Sequence, residues 1–304
     1  MDKQKFLKTG KLLLKTGFTA LLVYLVFQKI DFAQVSQTLG RSNPFYLFLA
    51  LVLYACSQVV SSWRLLGFLR VLELPLTFVF NLKLYLLGMF YNVFLPGGVG
   101  GDGYKIYLLR KKFNTPAKKL VFGLLLDRAC GLWAISLIAA GLAFFLPVLK
   151  LAWWIPALYI AVAIAGFFLL WRLFFRMYIG YFATAAARAL FVQSIQCAAV
   201  ICILRALHAD GSYLPYLFSF LLSTIATVIP FSVGGLGLRE YVMVQLSPVL
   251  FLHEATAVST SLCFYIISTV AALPGIWFVY RSAEFAPAPD EAEKKAVLDD
   301  STGG

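Results

Sequence analysis

The stretch NVFLPGGVGGDGYK at residues 92–105 decides how this chain folds, and PFSVGGLGLRE at residues 230–240 echoes it. Each closes an apolar run with a proline, then a glycine cluster, then charge. Proline and glycine interrupt helices and free backbone groups that hydrocarbon cannot hydrogen-bond. Inside a membrane such breaks persist where protein or a water-filled cavity satisfies them. Everything therefore turns on whether the flanking runs lie in a bilayer.

Composition says that they do. Of 304 residues, 61% are hydrophobic and 13% charged, with a mean hydropathy of +0.84, whereas a soluble domain carries roughly 25% charged residues. Such a chain cannot present a solvated surface on all sides. It breaks instead into apolar segments at about 12–30, 44–69, 76–95, 120–146, 151–171, 185–207, 213–229 and 255–280, close to the roughly 20 residues that a spanning helix needs. Lys3, Lys5, Lys8 and Lys11 precede the first segment and no small-x-small cleavage site follows it, so it reads as a signal anchor and first span.

The net charge of +12 is unevenly placed. After Arg281, Glu284, Asp290, Glu291, Glu293, Asp299 and Asp300 face only Lys294 and Lys295, which leaves 24 basic against 8 acidic residues in the rest. Residues 282–304 have the composition of a disordered acidic tail. The remaining basic residues cluster at the ends of apolar segments, where they report topology and contact with anionic head groups rather than nucleic-acid binding. Cys56, Cys130, Cys197, Cys202 and Cys263 lie inside apolar stretches with no CxxC spacing, and His208 and His253 have no partner at ligand spacing. No metal and no cofactor is expected.

Charge also assigns the sides. The N-terminal lysines, Arg64 with Arg70, the basic residues from Lys105 to Lys119, Arg172 with Arg176, and Arg281 should all be cytoplasmic. Eight complete spans would put Arg70 and the Lys105–Lys119 stretch on opposite sides. The conflict disappears if the third segment enters and leaves from one face and the seventh does the same from the other. The expected fold is thus an all-α polytopic membrane protein, with about six transmembrane helices plus two re-entrant segments broken by Pro and Gly. Residues 1–281 form the membrane domain, as inverted repeats of about 1–147 and 151–281. Interrupted helices in corresponding positions of two halves are the pattern of transporters whose site lies near the bilayer midplane.

The residues at these breaks are the candidate site. Gly97, Gly98, Gly100, Gly101 and Gly103 can expose several N–H groups together, and a helix starting near Asp102 would offer phosphate its positive dipole end. Gly234, Gly235 and Gly237 could repeat this after Pro230, as Pro96 and Asn92 precede the first. An ordinary glycine-rich loop, or close packing of helices through small residues, is the alternative. A nucleotide loop is excluded, since the run lacks a GK[ST] ending. Asp102 and Lys105 follow the first break and Arg239 and Glu240 the second, while Asp127 and Arg128 lie early in the fourth segment. A charge well inside a span costs roughly 2.5–3.5 kcal/mol and so pairs or faces water. Asp127 and Arg128 could equally form a structural ion pair. Lys83 can snorkel to the head groups, and Arg64, Arg188 and Arg205, near segment ends, read as anchors.

Taken in order, Asn92, Pro96 and the glycine run to Asp102 and Lys105, then Asp127-Arg128, then Pro230 and the second run to Arg239-Glu240 resemble the lysylphosphatidylglycerol synthase transmembrane (flippase-like) family. The resemblance extends over almost the whole chain to Arg281. Members stand alone or are fused to a C-terminal aminoacyltransferase domain, and in fused members the membrane part is associated with moving the modified lipid to the outer leaflet. Only a short polar tail follows the last span here, so the resemblance implies a stand-alone member without the synthase chemistry. Lys105 stands where many relatives carry arginine, which keeps the charge but not the bidentate grip on phosphate.

The expected function is a lipid translocase of a bacterial-type inner membrane, with both termini cytoplasmic. Its cargo would be an anionic phospholipid or a polyprenyl-phosphate-linked lipid. Phosphate would sit at a midplane cavity on the glycine-run N–H groups with Lys105 and Arg239, whose partners in the empty site would be Asp102 and Glu240. The alternative is an accessory scaffold for a lipid-modifying or glycosyltransferase enzyme, which would be the protein partner. An intramembrane enzyme ranks last, because Asp127 and Glu240 are the only acid–base candidates and no nucleophile, base and oxyanion donor come together. Single cysteines around positions 74 and 104 are expected to react with a membrane-impermeant thiol reagent from the same face. Labelling from opposite faces would contradict the re-entrant reading.

Overall fold

A computed structural model describes residues 32–94, 100–228, 237–281 and 285, and the described residues hold helices and no strands. The expected first span at 12–30 lies outside them, as do Pro96, Gly97, Gly98, Pro230, Gly234 and Gly235. Most of the tail also lies outside.

A short helix, α1 (Phe32–Gly40), leads into α2 (Pro44–Val71), where Asn43 caps the first turn by accepting from the Phe45 N–H at 2.9 Å and Pro44 sits in the first turn. Next come α3 (Phe78–Phe94) and α4 (Gly100–Phe113), separated by the first break, and then α5 (Ala117–Ala143). The second part runs α6 (Trp154–Phe174), α7 (Phe182–Ala206), α8 (Leu214–Ala226), then the second break, α9 (Leu238–Leu250), α10 (Glu254–Ala272) and the short α11 (Gly275–Tyr280).

Among the described residues, five stretches are long and apolar enough to cross a membrane: Pro44–Val71, Ala117–Ala143, Trp154–Phe174, Arg176–Ala206 and Glu254–Tyr280. The protein is an integral membrane protein. By contrast α3 has 17 residues and α8 has 13. At 1.5 Å per residue they reach only about 26 and 20 Å, short of the roughly 30 Å hydrocarbon core.

The helix order repeats. Starts at 44, 78, 100 and 117 recur at 182, 214, 238 and 254, each 136 to 138 residues later. Packing repeats with them: α3 lies against α4 as α8 lies against α9, and α4 meets α5 as α9 meets α10. Across the halves, α5 packs on α8 and α10 on α3, while the counterparts α2 and α7 share the most extensive helix contact. Small residues let these two approach, with Ala50 on α2 and Ala199 on α7 both fully buried in the same apolar cluster. Helix α6 is the outlier, burying only Pro156 and Trp171 and turning the rest of its apolar surface outward, as a lipid-facing helix does. Phe285 is buried against Phe80 and Phe278, ring centroids 5.5 and 6.5 Å away.

Glycine fixes the crossing of the first hairpin. A Cβ on Gly101 would come within 1.9 Å of the Gly88 carbonyl oxygen, and one on Gly88 within 2.0 Å of Lys105 Cε. The arms thus touch backbone to backbone, and the space over Gly88 holds the lysine side chain. Gly101→Ala is expected to cost about 1–3 kcal/mol, since backbone rather than a flexible side chain must yield. Gly103, whose Cβ would meet nothing within 4 Å, should accept alanine with no loss. Thermal unfolding of both variants in detergent checks this, and equal stability would contradict the packing.

Candidate functional site

Helix α4 opens the first site. Its first turn contains Gly101 and Asp102, and the Gly101 N–H donates to Asn92 Oδ1 at 2.9 Å. Asn92, from the last turn of α3, therefore satisfies one of the N–H groups that a helix start leaves free. Asp102 then carries two cations. Lys105 Nζ donates to its Oδ1 at 3.1 Å, and Arg128 Nε, from α5, donates to its Oδ2. The two cations differ in access: Lys105 is 5% exposed, whereas the Arg128 side chain is 44% exposed. Lys105 also lies over the Tyr85 ring, 4.7 Å from its centroid, a favourable place for a buried ammonium.

Helix α9 opens the second site with the same register. Asp102 and Glu240 are each the third residue of the helix that follows a break. Gly237 precedes α9 at φ +83°, a left-handed conformation that glycine takes at no steric cost. Glu240 is buried; its Oε2 accepts from the Gly237 N–H at 2.7 Å and its Oε1 from Ser261 Oγ at 2.6 Å. The carboxylate caps its own helix and ties it to α10. Arg239 sits between aromatic rings, its guanidinium 5.2 Å from the Phe220 centroid and 5.1 Å from that of Phe264. Its buried Nε has no hydrogen-bond partner among the described residues.

The two breaks thus each supply a cation resting on aromatic rings, Lys105 on Tyr85 and Arg239 on Phe220 and Phe264. They differ in counter-charge. Asp102 pairs with Lys105 as the sequence suggested, but the Glu240 oxygens are taken by Gly237 and Ser261. Among the described residues no group of three or more His, Cys, Asp or Glu could hold a metal ion.

Asp127 and Arg128 do not pair with each other. Adjacent residues on a helix point about 100° apart, so Arg128 turns to Asp102 while Asp127 turns to α2. There it accepts from Arg64 Nε at 2.7 Å, with both residues buried. Arg64 is therefore an interior ion-pair partner and not the head-group anchor its position suggested. It lies two turns inside α2, and Ser57, Ser61 and Arg64, all buried, fall at spacings of four and three, one polar stripe on an apolar helix. That stripe is the signal in the sequence that could have identified it. Arg188 fits an anchoring role better: it donates to Trp63 O at 3.2 Å and to Tyr181 Oη at 2.8 Å, and lies over the Trp63 ring. The polar run continues beyond Arg64, where Tyr85 Oη donates to Gln58 Oε1 at 3.3 Å and Gln58 and Gln196 both donate to Ser57 Oγ.

Two hairpins of broken helix, set among longer apolar helices and carrying their charges at the breaks, define a polytopic membrane protein with a polar interior. The chain belongs to the family described as the lysylphosphatidylglycerol synthase TM region, which it matches over residues 12–192 and 178–275. Comparison with curated proteins returns no match.

Removing one partner of a buried pair leaves a charge uncompensated, at a cost of about 3–5 kcal/mol. Asp127→Asn should lose about that much stability in denaturant titration, and adding Arg64→Gln should recover most of it. A double variant no more stable than the single one would contradict the pairing.

Proposed function

We propose that this protein moves a phosphate-bearing lipid between leaflets, binding the head group at the two helix breaks while the acyl chains stay in the bilayer. The observation that carries this reading is the clasp of Asp102 between Lys105 and Arg128 in the first turn of α4. A carboxylate held by two cations is a resident stand-in for an anion. A lipid phosphate brings more acceptor oxygens and can take over both donors, with the start of α4 contributing its positive dipole end. Arg128, the exposed member, meets the head group first. Lys105 receives it deeper.

The second break supplies the counterpart. Arg239 is held by ring faces, and a phosphate there would gain a charge-assisted contact without displacing Glu240 from its cap. In this reading α3–α4 and α8–α9 are re-entrant hairpins entering from opposite faces of an inverted repeat, and the short reach of α3 and α8 supports it. In the same reading both termini lie on the cytoplasmic side of a bacterial-type inner membrane, which the basic clusters at the segment ends support. The protein works as a carrier and makes no covalent change to the lipid.

The test is flipping of head-group-labelled lipid in proteoliposomes, across anionic, zwitterionic and polyprenyl-phosphate lipids. Wild type should move one class. Lys105→Gln and Arg239→Gln should each lower the initial rate about tenfold or more, the effect of one lost charge-assisted contact. Folded protein that moves no lipid in the panel contradicts the proposal and favours an accessory scaffold.

A further inference from the structure

We propose that Arg64 is a further anion-binding station, outside both breaks, on the path of the head group, reached from Arg128 past Gly131. The inference rests on the translocation reading and adds to it a residue outside both breaks. Arg64 is 6% exposed, and its guanidinium is only partly used. Nε donates to Asp127, whereas the buried Nη1 has no acceptor among the described residues. A buried donor without a partner is rare in folded proteins, because its hydration is lost and nothing replaces it. Here the unmet donor belongs to a cation on a polar stripe inside a membrane domain.

The surroundings give the same guanidinium an approach at its neighbouring nitrogen, Nη2. Gly131 on α5 is partly exposed, and a Cβ built there would meet within 4 Å only Arg64 Nη2, at 3.8 Å. Any side chain at 131 would narrow the space beside the guanidinium, and glycine leaves it open. Arg128 is one turn earlier on the same face of α5, about 4.5 Å along the axis. An anion released by the exposed Arg128 thus lies one turn of α5 from Gly131, the residue with no side chain that borders the Arg64 guanidinium. From Arg64 the polar run leads on through Gln58 and Ser57 to Gln196, between α2 and α7. Arg64 is therefore a step on a route rather than its end.

Chemistry identifies the ligand class. With Nε on Asp127, the Nη1 and Nη2 edge presents a planar fork suited to two oxygens of one phosphate. Asp127 holds the arginine in place while the site is empty, as Asp102 holds Lys105 and Arg128. The shared chemistry is a phosphate oxyanion, from a lipid head group or free in solution.

Isothermal titration of the purified full chain in detergent separates the possibilities, with dihexanoyl phosphatidylglycerol and inorganic phosphate as probes at fixed ionic strength. Arg64→Gln combined with Asp127→Asn removes the station while leaving no charge unpaired, and Arg64→Lys keeps the charge but loses the fork. Both should weaken phosphatidylglycerol binding, the double variant about tenfold or more, with unfolding midpoints near wild type. The same loss with inorganic phosphate identifies the bare oxyanion as the ligand; a loss confined to phosphatidylglycerol identifies the lipid. Wild-type affinity in both variants overturns the station. If Asp102→Asn with Lys105→Gln abolishes binding while the Arg64 variants leave it unchanged, the translocation reading stands and this inference alone falls. If wild type binds neither probe, this inference falls, and the flipping assay alone decides the translocation reading.

Discussion

A carboxylate buried in an apolar helix bundle needs partners for its charge, and Asp102 has two, Lys105 from its own helix and Arg128 from the next. Much of the first half follows from that requirement. Lys105 reaches Asp102 because Gly88 leaves room for its stem, and the hairpin arms come close enough because Gly101 meets the Gly88 carbonyl. Arg128 reaches Asp102 because the residue before it is anchored elsewhere, Asp127 being held by Arg64. Three cations and two carboxylates are thus sorted into two groups by the rotation of one helix, α5.

The second half repeats the scaffold and changes the chemistry. Glu240 takes the position of Asp102, but it spends its oxygens on the helix start and on Ser261, and Arg239 rests on aromatic faces. Duplicated helices therefore give two unequal breaks, one closed by ion pairs and one holding a cation against rings.

The breaks were legible in the sequence because proline and glycine act locally, whatever the tertiary context. The Asp102–Lys105 pair was legible for the same reason, being three residues apart on one helix. The helical second arms were harder. Residues 105–119 read as a basic stretch that sets sidedness, and their low hydropathy hides the fact that α4 packs along α3. Contacts between distant segments were not legible at all. Arg64 and Asp127 are 63 residues apart, and hydropathy says how apolar a helix is without saying which way each side chain faces. Glu240 was expected on Arg239 because the two are neighbours; Ser261, 21 residues away, is visible only once α9 and α10 are packed.

The central claim is that a head group reaches the breaks inside the helix bundle. Cross-linking with phosphatidylglycerol carrying a photoreactive head group, mapped by peptide mass spectrometry, tests it most directly. The account predicts adducts on the segments 92–105 and 237–240 and on α5 near Arg128 and Gly131. Adducts confined to the outward face of α6 and to the helix ends would contradict it, placing the lipid around the protein rather than within it.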